Sequence, residues 1–313
     1  MRFVIMGTGG IGGFFGARLA ESGEDVWFVA RGKHLDAMRR HGLKVKSTVG
    51  DFTIPPGKMT DNSSEIGRAD VVLFCVKAYD TESAARQLSP LLQSDSLVIP
   101  LQNGVDNVEK IRNQIPQGEV YGGVAYISSR ITALGEITEV GGFQRIVFGP
   151  LGTSISTRAR EVQESFVRSG IKAQLLDDST KELWRKFIFI ASMGSLTALS
   201  RLTHGEILEN PKLLALTFDA MREIQSVAWK AGIAIEPVDE AKVLEGLKRF
   251  SHDTRSSMYF DLAAEKPMEI EALNGTVVRL GEQLGVPTPI HRVIYSVLLP
   301  HHLKHTRQSP SRQ

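Results

Sequence analysis

Three glycines stand at the spacing G-x-G-x-x-G in Gly7-Thr8-Gly9-Gly10-Ile11-Gly12. At that spacing the first glycine makes a tight turn and the second lets the backbone approach a pyrophosphate. The third lets a helix pack closely on the preceding strand. The amides of that helix's first turn then face the phosphates. By itself such a match is only a glycine-rich turn; a strand before it and a helix after it make it a dinucleotide site. Nineteen residues after Gly12 comes Arg31, with Lys33 close by. A free ribose 2′-hydroxyl is usually gripped by an acidic residue at about this distance, whereas a 2′-phosphate is repelled by a carboxylate and attracted by arginine. Arg31 therefore predicts NADP over NAD, against the bland alternative of two solvated loop cations.

Two more polar residues, Lys77 and Asn103, follow apolar runs of the kind that form buried parallel strands. Ligands of open parallel sheets gather outside the carboxyl ends of the strands, so both are candidates to meet a nicotinamide and its substrate. Taken singly, each is an ordinary loop residue. Later in the chain Lys186 precedes Phe187-Ile188-Phe189-Ile190-Ala191, where a helical pattern becomes apolar nearly all round. Burial disfavours an ammonium and brings a lysine toward neutral pH, where it can act as a general acid. The competing reading is a snorkelling lysine paired with Glu182. Glu269 and Glu271 lie two residues apart, on different helical faces, and spacing leaves both open as the lysine's partner.

These residues require elements to hold them. The apolar run Phe3-Val4-Ile5-Met6 predicts a strand, residues 11–22 a helix ending at Gly23, and residues 25–30 a second strand. A short helix is expected over 34–41, stopped by Gly42, then a hairpin from 43–45 and 51–54. Residues 69–76 and 96–101 read as buried parallel strands, with a helix over 81–92 between them. Short β-type runs at 120–128, 136–140 and 144–148 are expected to extend or edge the same sheet. Residues 156–169 read as a helix and 171–176 as a last strand. We place a boundary near Asp177: an α/β, Rossmann-type NADP-binding domain over 1–177 and a predominantly helical substrate and catalytic domain over 178–313. The second begins with a capping-box pattern, Ser179-Thr180-Lys181-Glu182. The run His301-His302-Leu303-Lys304-His305-Thr306-Arg307 and the polar tail after it read as a frayed terminus. No carboxylate or cysteine accompanies those histidines at metal-ligand spacing.

Composition narrows the rest. The 313 residues are 42% hydrophobic and 23% charged, enough for two cores of ordinary size. The 37 basic and 35 acidic residues nearly cancel, so no global field draws nucleic acid or an anionic membrane. A single cysteine, Cys75, allows neither an intrachain disulfide framework nor a cysteine-based metal cluster. The glycine turn follows the first residues too closely for a cleavable signal, and no apolar run reaches the roughly 20 residues of a membrane span. A reducing cytoplasm is the expected compartment. A small molecule is the expected partner, and the reading is compatible with a homodimer.

Several of these motifs occur together in a known order. The glycine turn with Arg31, Val76-Lys77-Ala78, Leu101-Gln102-Asn103-Gly104, Leu183-Trp184-Arg185-Lys186, Leu196-Thr197-Ala198-Leu199, Ser256-Ser257-Met258 and Glu269-Ile270-Glu271-Ala272-Leu273-Asn274-Gly275 together resemble the ketopantoate reductase (2-dehydropantoate 2-reductase) family across nearly the whole chain. The resemblance implies a dinucleotide-binding domain, a helical domain, and reduction of 2-dehydropantoate to pantoate with NADPH on the cytoplasmic route to pantothenate and coenzyme A. It implies that Lys186 protonates the ketone oxygen as hydride arrives, that Glu269 supports the lysine, and that Asn103 and Lys77 lie beside nicotinamide and substrate. It gives Ser257 to the substrate.

Two positions depart from the family's pattern. Familiar members carry asparagines four and eight residues after the lysine, on its helical face. Here Ile190 and Gly194 stand there, with Ser192 and Ser195 as nearby substitutes slightly off that line. A pocket without those polar contacts loses selectivity for the groups they bind. Another branched or bulkier 2-oxo acid is therefore the rival substrate. A non-catalytic NADP-binding sensor is the rival from another class; Lys186 with Glu269 argues against it, since a sensor has no use for a proton donor.

Overall fold

The computed structural model describes residues 1–141 and 143–308. Its first half runs β1 (Arg2–Met6), α1 (Gly10–Glu21), β2 (Asp25–Val29), α2 (Gly32–His41), β3 (Leu43–Lys46), β4 (Phe52–Ile54), β5 (Met59–Thr60), β6 (Val71–Phe74), α3 (Thr81–Arg86), β7 (Leu97–Pro100), α4 (Asn107–Arg112) and β8 (Glu119–Val120). Six strands hydrogen-bond in the order β5-β2-β1-β6-β7-β8, all neighbours parallel. The chain builds outward from β1 to β5, then restarts at β6 on the other side of β1. That reversal makes the ends of β1 and β6 a topological switch point, the place where doubly wound sheets hold ligands.

The apolar runs are continuous because both faces of this sheet are covered. Phe3 and Ile5 of β1 with Val71 and Leu73 of β6 enter one core, while Val4, Met6, Val72 and Phe74 enter another. Helix α3 stops at Arg86, short of the expected residue 92. Pro90 explains the early end, since the residue before a proline is pushed out of helical geometry.

The remaining strands are β9 (Gly122–Tyr126), β10 (Ser129–Ala133), β11 (Glu136–Glu139), β12 (Arg145–Gly149) and, after α5 (Thr157–Arg168), β13 (Lys172–Leu175). Sequence predicts that the runs after residue 119 extend or edge the main sheet; only β8 does. The others form a four-stranded sheet, β10-β11-β3-β4, and a three-stranded one, β13-β12-β9. Glycines permit this layering. A Cβ on Gly10 would collide with the Ser129 carbonyl, and one on Gly13 with the Ile137 side chain, so the second sheet rests directly on α1.

The chain divides into two compact units, one of Met1–Gln102 with Asp106–Glu182, the other of Asn103–Val105 with the residues from Leu183 onward. The second contains α7 (Ser195–Ser200), α8 (His204–Glu209), α9 (Pro211–Lys230), α10 (Glu240–Leu247), α11 (Ser257–Ala263), α12 (Thr276–Leu284) and α13 (Pro289–Gln308), entered through α6 (Thr180–Phe189). It contains no strand among its described residues and is built around Phe187, Met193, Ile224, Leu273 and Ile294. None of its described helices is long and apolar enough to cross a membrane.

Two local expectations are corrected here. Ser179 does not complete a capping box: its hydroxyl donates to the Gly149 carbonyl at 2.8 Å, and Asp178 accepts from the Thr180 amide instead. The histidine run is not frayed. It continues α13, with His302 and His305 buried and His302 Nδ1 accepting from the Met268 amide at 3.1 Å. The end of the polar tail, residues 309–313, lies outside the described residues.

Candidate functional site

In the first unit the glycine motif lies between β1 and α1. Gly7 has φ +102°, and a Cβ there would come within 2.7 Å of the Val76 amide nitrogen. Gly12 has no room for a Cβ beside the Gly7 carbonyl. Gly7 and Thr8 direct their amides to the Val29 carbonyl, at 3.1 and 3.0 Å, which ties the turn to the end of β2. The amides for an anion are therefore those of the first turn of α1, from Gly10 through Ile11 to Gly12, which have no intrahelical acceptor. Beside Gly9 and Gly32 the backbone borders open space, with nothing within 4 Å of a Cβ built at either. Arg31, exposed at the end of β2, adds a cation. An open glycine backbone, a helix N-terminus and a guanidinium together fit the phosphates of a dinucleotide.

Lys77 immediately follows the β6 side of the switch point and opens a short 3-10 turn, Ala78–Asp80. Gln102 braces this corner, its Nε2 donating to the Val76 carbonyl and to Thr81 Oγ1, both at 2.8 Å. Asn103, next in the chain, belongs to the second unit.

The second unit brings Lys186 and Glu269 together. Burial lowers the Lys186 ammonium to about 8, and the negative charge of Glu269 opposes that fall. Glu269 is 8% exposed, whereas Glu271 is directed elsewhere: it accepts from Tyr295 Oη at 2.9 Å and pairs with Arg279 at 3.3 Å. Burial and the Glu271 charge push the Tyr295 phenol up to about 12. The two glutamates that spacing could not separate thus have different partners. Glu182 also has partners of its own, Tyr126 Oη at 2.8 Å and the Arg145 guanidinium at 3.5 Å.

Downstream of the lysine the helix changes type. Residues Ile190–Gly194 form a π-helical turn before α7, and Glu271–Gly275 form a second one before α12. A π turn inserts a residue, so the position five later also comes near the side that the position four later faces. From Ile190 that position is Ser195. Gly194 leaves ordinary contact space, with Ser256 Cβ at 3.6 Å and Ile190 Cγ2 at 3.9 Å from a Cβ built there. Ser256 caps α11 through the Tyr259 amide and donates to the Gly194 carbonyl at 2.7 Å. Ser257, its neighbour, is exposed at the first position of α11.

Asn274 joins the two π turns. Its Oδ1 accepts from Ser195 Oγ at 2.5 Å, and its Nδ2 donates to the Ala191 carbonyl at 3.2 Å and to His291 Nδ1 at 2.9 Å. His291 Nε2 in turn donates to the Ala220 carbonyl at 3.0 Å, a tautomer consistent with a neutral ring that burial holds at about 4. Asparagine is required because one end accepts while the other donates. Asn274→Ala leaves several buried polar atoms unpaired, and the expected loss is about 1–3 kcal/mol. A lowered urea midpoint checks this; an unchanged midpoint contradicts it. Ser256 and Asn274 both lie in the motifs quoted above, yet neither stands out by residue type alone.

Comparison with known proteins follows the same division. Residues 3–153 match the family model of ketopantoate reductase PanE/ApbA, and residues 178–301 match the model of its C-terminal region. A 2-dehydropantoate 2-reductase of Archaeoglobus fulgidus is 30% identical over 297 residues, covering 95% of this chain and 96% of that protein. An uncharacterized oxidoreductase of Bacillus subtilis, YkpB, is 29% identical over 95% of this chain and 98% of its own length. A crystal structure of a PanE/ApbA family ketopantoate reductase from Ralstonia eutropha superposes with a TM-score of 0.89 at 30% identity, covering 98% of this chain and all of that one.

Proposed function

Because the chain belongs to the ketopantoate reductase family, we propose that this oxidoreductase reduces 2-dehydropantoate to (R)-pantoate with NADPH. The observation that carries the reading is the placement of Lys186, at the entrance to an apolar helical stretch, under the negative charge of the buried Glu269 carboxylate, within a chain whose other unit is a dinucleotide fold. Bound NADPH supplies the hydride. Hydride addition to a ketone carbon builds negative charge on its oxygen, and a positioned acid relieves that charge. Lys186 Nζ delivers the proton to the oxygen, and Glu269 keeps the lysine charged against its desolvating surroundings. Asn103, Ser257 and Lys77 are proposed to orient the substrate and nicotinamide, and Arg31 to receive the 2′-phosphate.

Transfer of deuterium from deuterated NADPH to the carbinol carbon of pantoate tests the reaction. Label found only in solvent, or no pantoate formed, rejects it. The cofactor assignment makes its own prediction. Charge-assisted hydrogen bonds contribute about 1.5–3 kcal/mol, so Arg31→Ala should weaken NADPH binding about 10- to 100-fold and leave NADH nearly unchanged. Equal losses for both dinucleotides would mean that Arg31 does not contact the 2′-phosphate.

A second reading keeps the chemistry and changes the acid. Ile190 packs with the apolar core and Gly194 leaves contact space beside Ser256, which favours a branched, more apolar 2-oxo acid.

A further inference from the structure

Arg31 is not unoccupied. Its Nη2 donates to Asp80 Oδ2 at 2.5 Å. The two residues come from opposite sides of β1. Arg31 follows β2, with an extended backbone at φ −136° and ψ 157°, and Asp80 ends the 3-10 turn that follows β6. In the strand order β2-β1-β6 the ion pair therefore bridges across the end of β1, from which the Gly7–Gly12 turn emerges. Arg31 is 58% exposed and Asp80 18%, so the carboxylate is the more deeply seated partner and the guanidinium presents its remaining N–H groups to solvent.

We propose that Asp80 is a residue that discriminates between dinucleotides, its carboxylate competing with a ribose 2′-phosphate for the Arg31 guanidinium. The inference rests on the reading of Arg31 as the 2′-phosphate ligand. A phosphate that takes up this guanidinium must come close to the Asp80 carboxylate, and two anions at short range repel. An unphosphorylated ribose brings no charge and meets no such cost. Asp80 thus lowers the affinity for NADPH while leaving NADH almost untouched, which narrows the selectivity that Arg31 alone would give. Its position is suited to a pure charge test. Asp80 precedes α3 without a side-chain capping bond to that helix, and asparagine keeps its size and an acceptor oxygen for Arg31.

The test is the dissociation constant of NADPH and of NADH for the full chain, read from nicotinamide fluorescence at low and at raised salt, for the wild type, Asp80→Asn and Arg31→Ala. Asp80→Asn is expected to tighten NADPH about 3- to 10-fold, as for a partly exposed charge, and to shift NADH less than about twofold. The gain shrinks as salt is raised, because screening weakens the repulsion that was removed. NADPH binding that is unchanged or weakened in Asp80→Asn overturns the proposal and makes Asp80 an orienting residue or a bystander. Equal loss of NADPH and NADH in Arg31→Ala overturns the underlying 2′-phosphate reading instead, so the two failures are told apart.

Discussion

Lys186→Ala is expected to lower kcat for ketone reduction by about 10²- to 10⁴-fold, the usual contribution of a positioned proton donor. Affinity for the dinucleotide should be nearly unchanged, because the variant removes an acid and leaves the glycine turn and Arg31 intact. The wild type carries the matching pH signature. A general acid must be protonated, so kcat should be flat below the lysine's pKa of about 8 and fall tenfold per pH unit above it. Unfolding does not mimic this loss. The lysine titrates at about 8 when folded and near 10.5 when unfolded, so between those values the unfolded chain holds a proton that the folded chain has released. The folded state therefore gains stability from this group as pH rises through that window, while the rate is lost. A thermal melt at each pH separates the two effects, and a rate that stays flat to pH 10 would contradict the role of Lys186.

Glu269→Gln is expected to have the next largest effect. Burial is the stronger influence on Lys186 and favours the neutral amine, and the Glu269 carboxylate holds it partly in check. An opposite charge at close range shifts a pKa by about one to three units, so removing it should move the alkaline limb of kcat acidward by about one unit or more. At pH 7.5 the rate should then drop about threefold for a shift of one unit and more than about twentyfold for two, and it should recover substantially at pH 6, where the lysine is again protonated. A variant that had merely lost its fold would not recover on acidification. An alkaline limb left at its original pH would show that Glu269 does not support the lysine's charge. Glu271→Gln, whose carboxylate serves Tyr295 and Arg279, provides the control and should leave the limb in place.

The parts of this protein that sequence exposes are those governed by short-range rules. The apolar run of β1, the turn at Gly7 and the helix α1 that starts at Gly10 each follow from local sterics and from burial on both sheet faces, and they form within a residue or two of where they are expected. Lys186 is legible as a charged residue at the entrance to an all-apolar helix. The π turn just beyond it is not legible. Periodicity at 3.6 residues carries no sign of one inserted residue, so the sequence places Ser195 only slightly off the lysine's face, whereas in the structure its hydroxyl is buried against Asn274. Pairings between distant segments are hidden for a similar reason. The run at 136–140 announces a strand, but a β-type run does not say that β11 joins β3 rather than the main sheet, and β10 at Ser129–Ala133 falls outside the expected runs altogether. The links from Asn274 to Ala191 and from His302 to Met268 span 83 and 34 residues, and that from Arg31 to Asp80 spans 49. Ser179 shows the converse. Its capping-box context is locally persuasive, yet a carbonyl at Gly149 claims the hydroxyl.

Ile190 and Gly194 leave the acceptor as the point on which the account turns. The direct measurement is kcat/KM for NADPH oxidation with 2-dehydropantoate, set against a panel of 2-oxo acids bearing branched apolar side chains. 2-Dehydropantoate is expected to be preferred by about tenfold or more, the discrimination one well-fitted side-chain group can supply. Absent turnover of 2-dehydropantoate alongside efficient turnover of an apolar acid would contradict it.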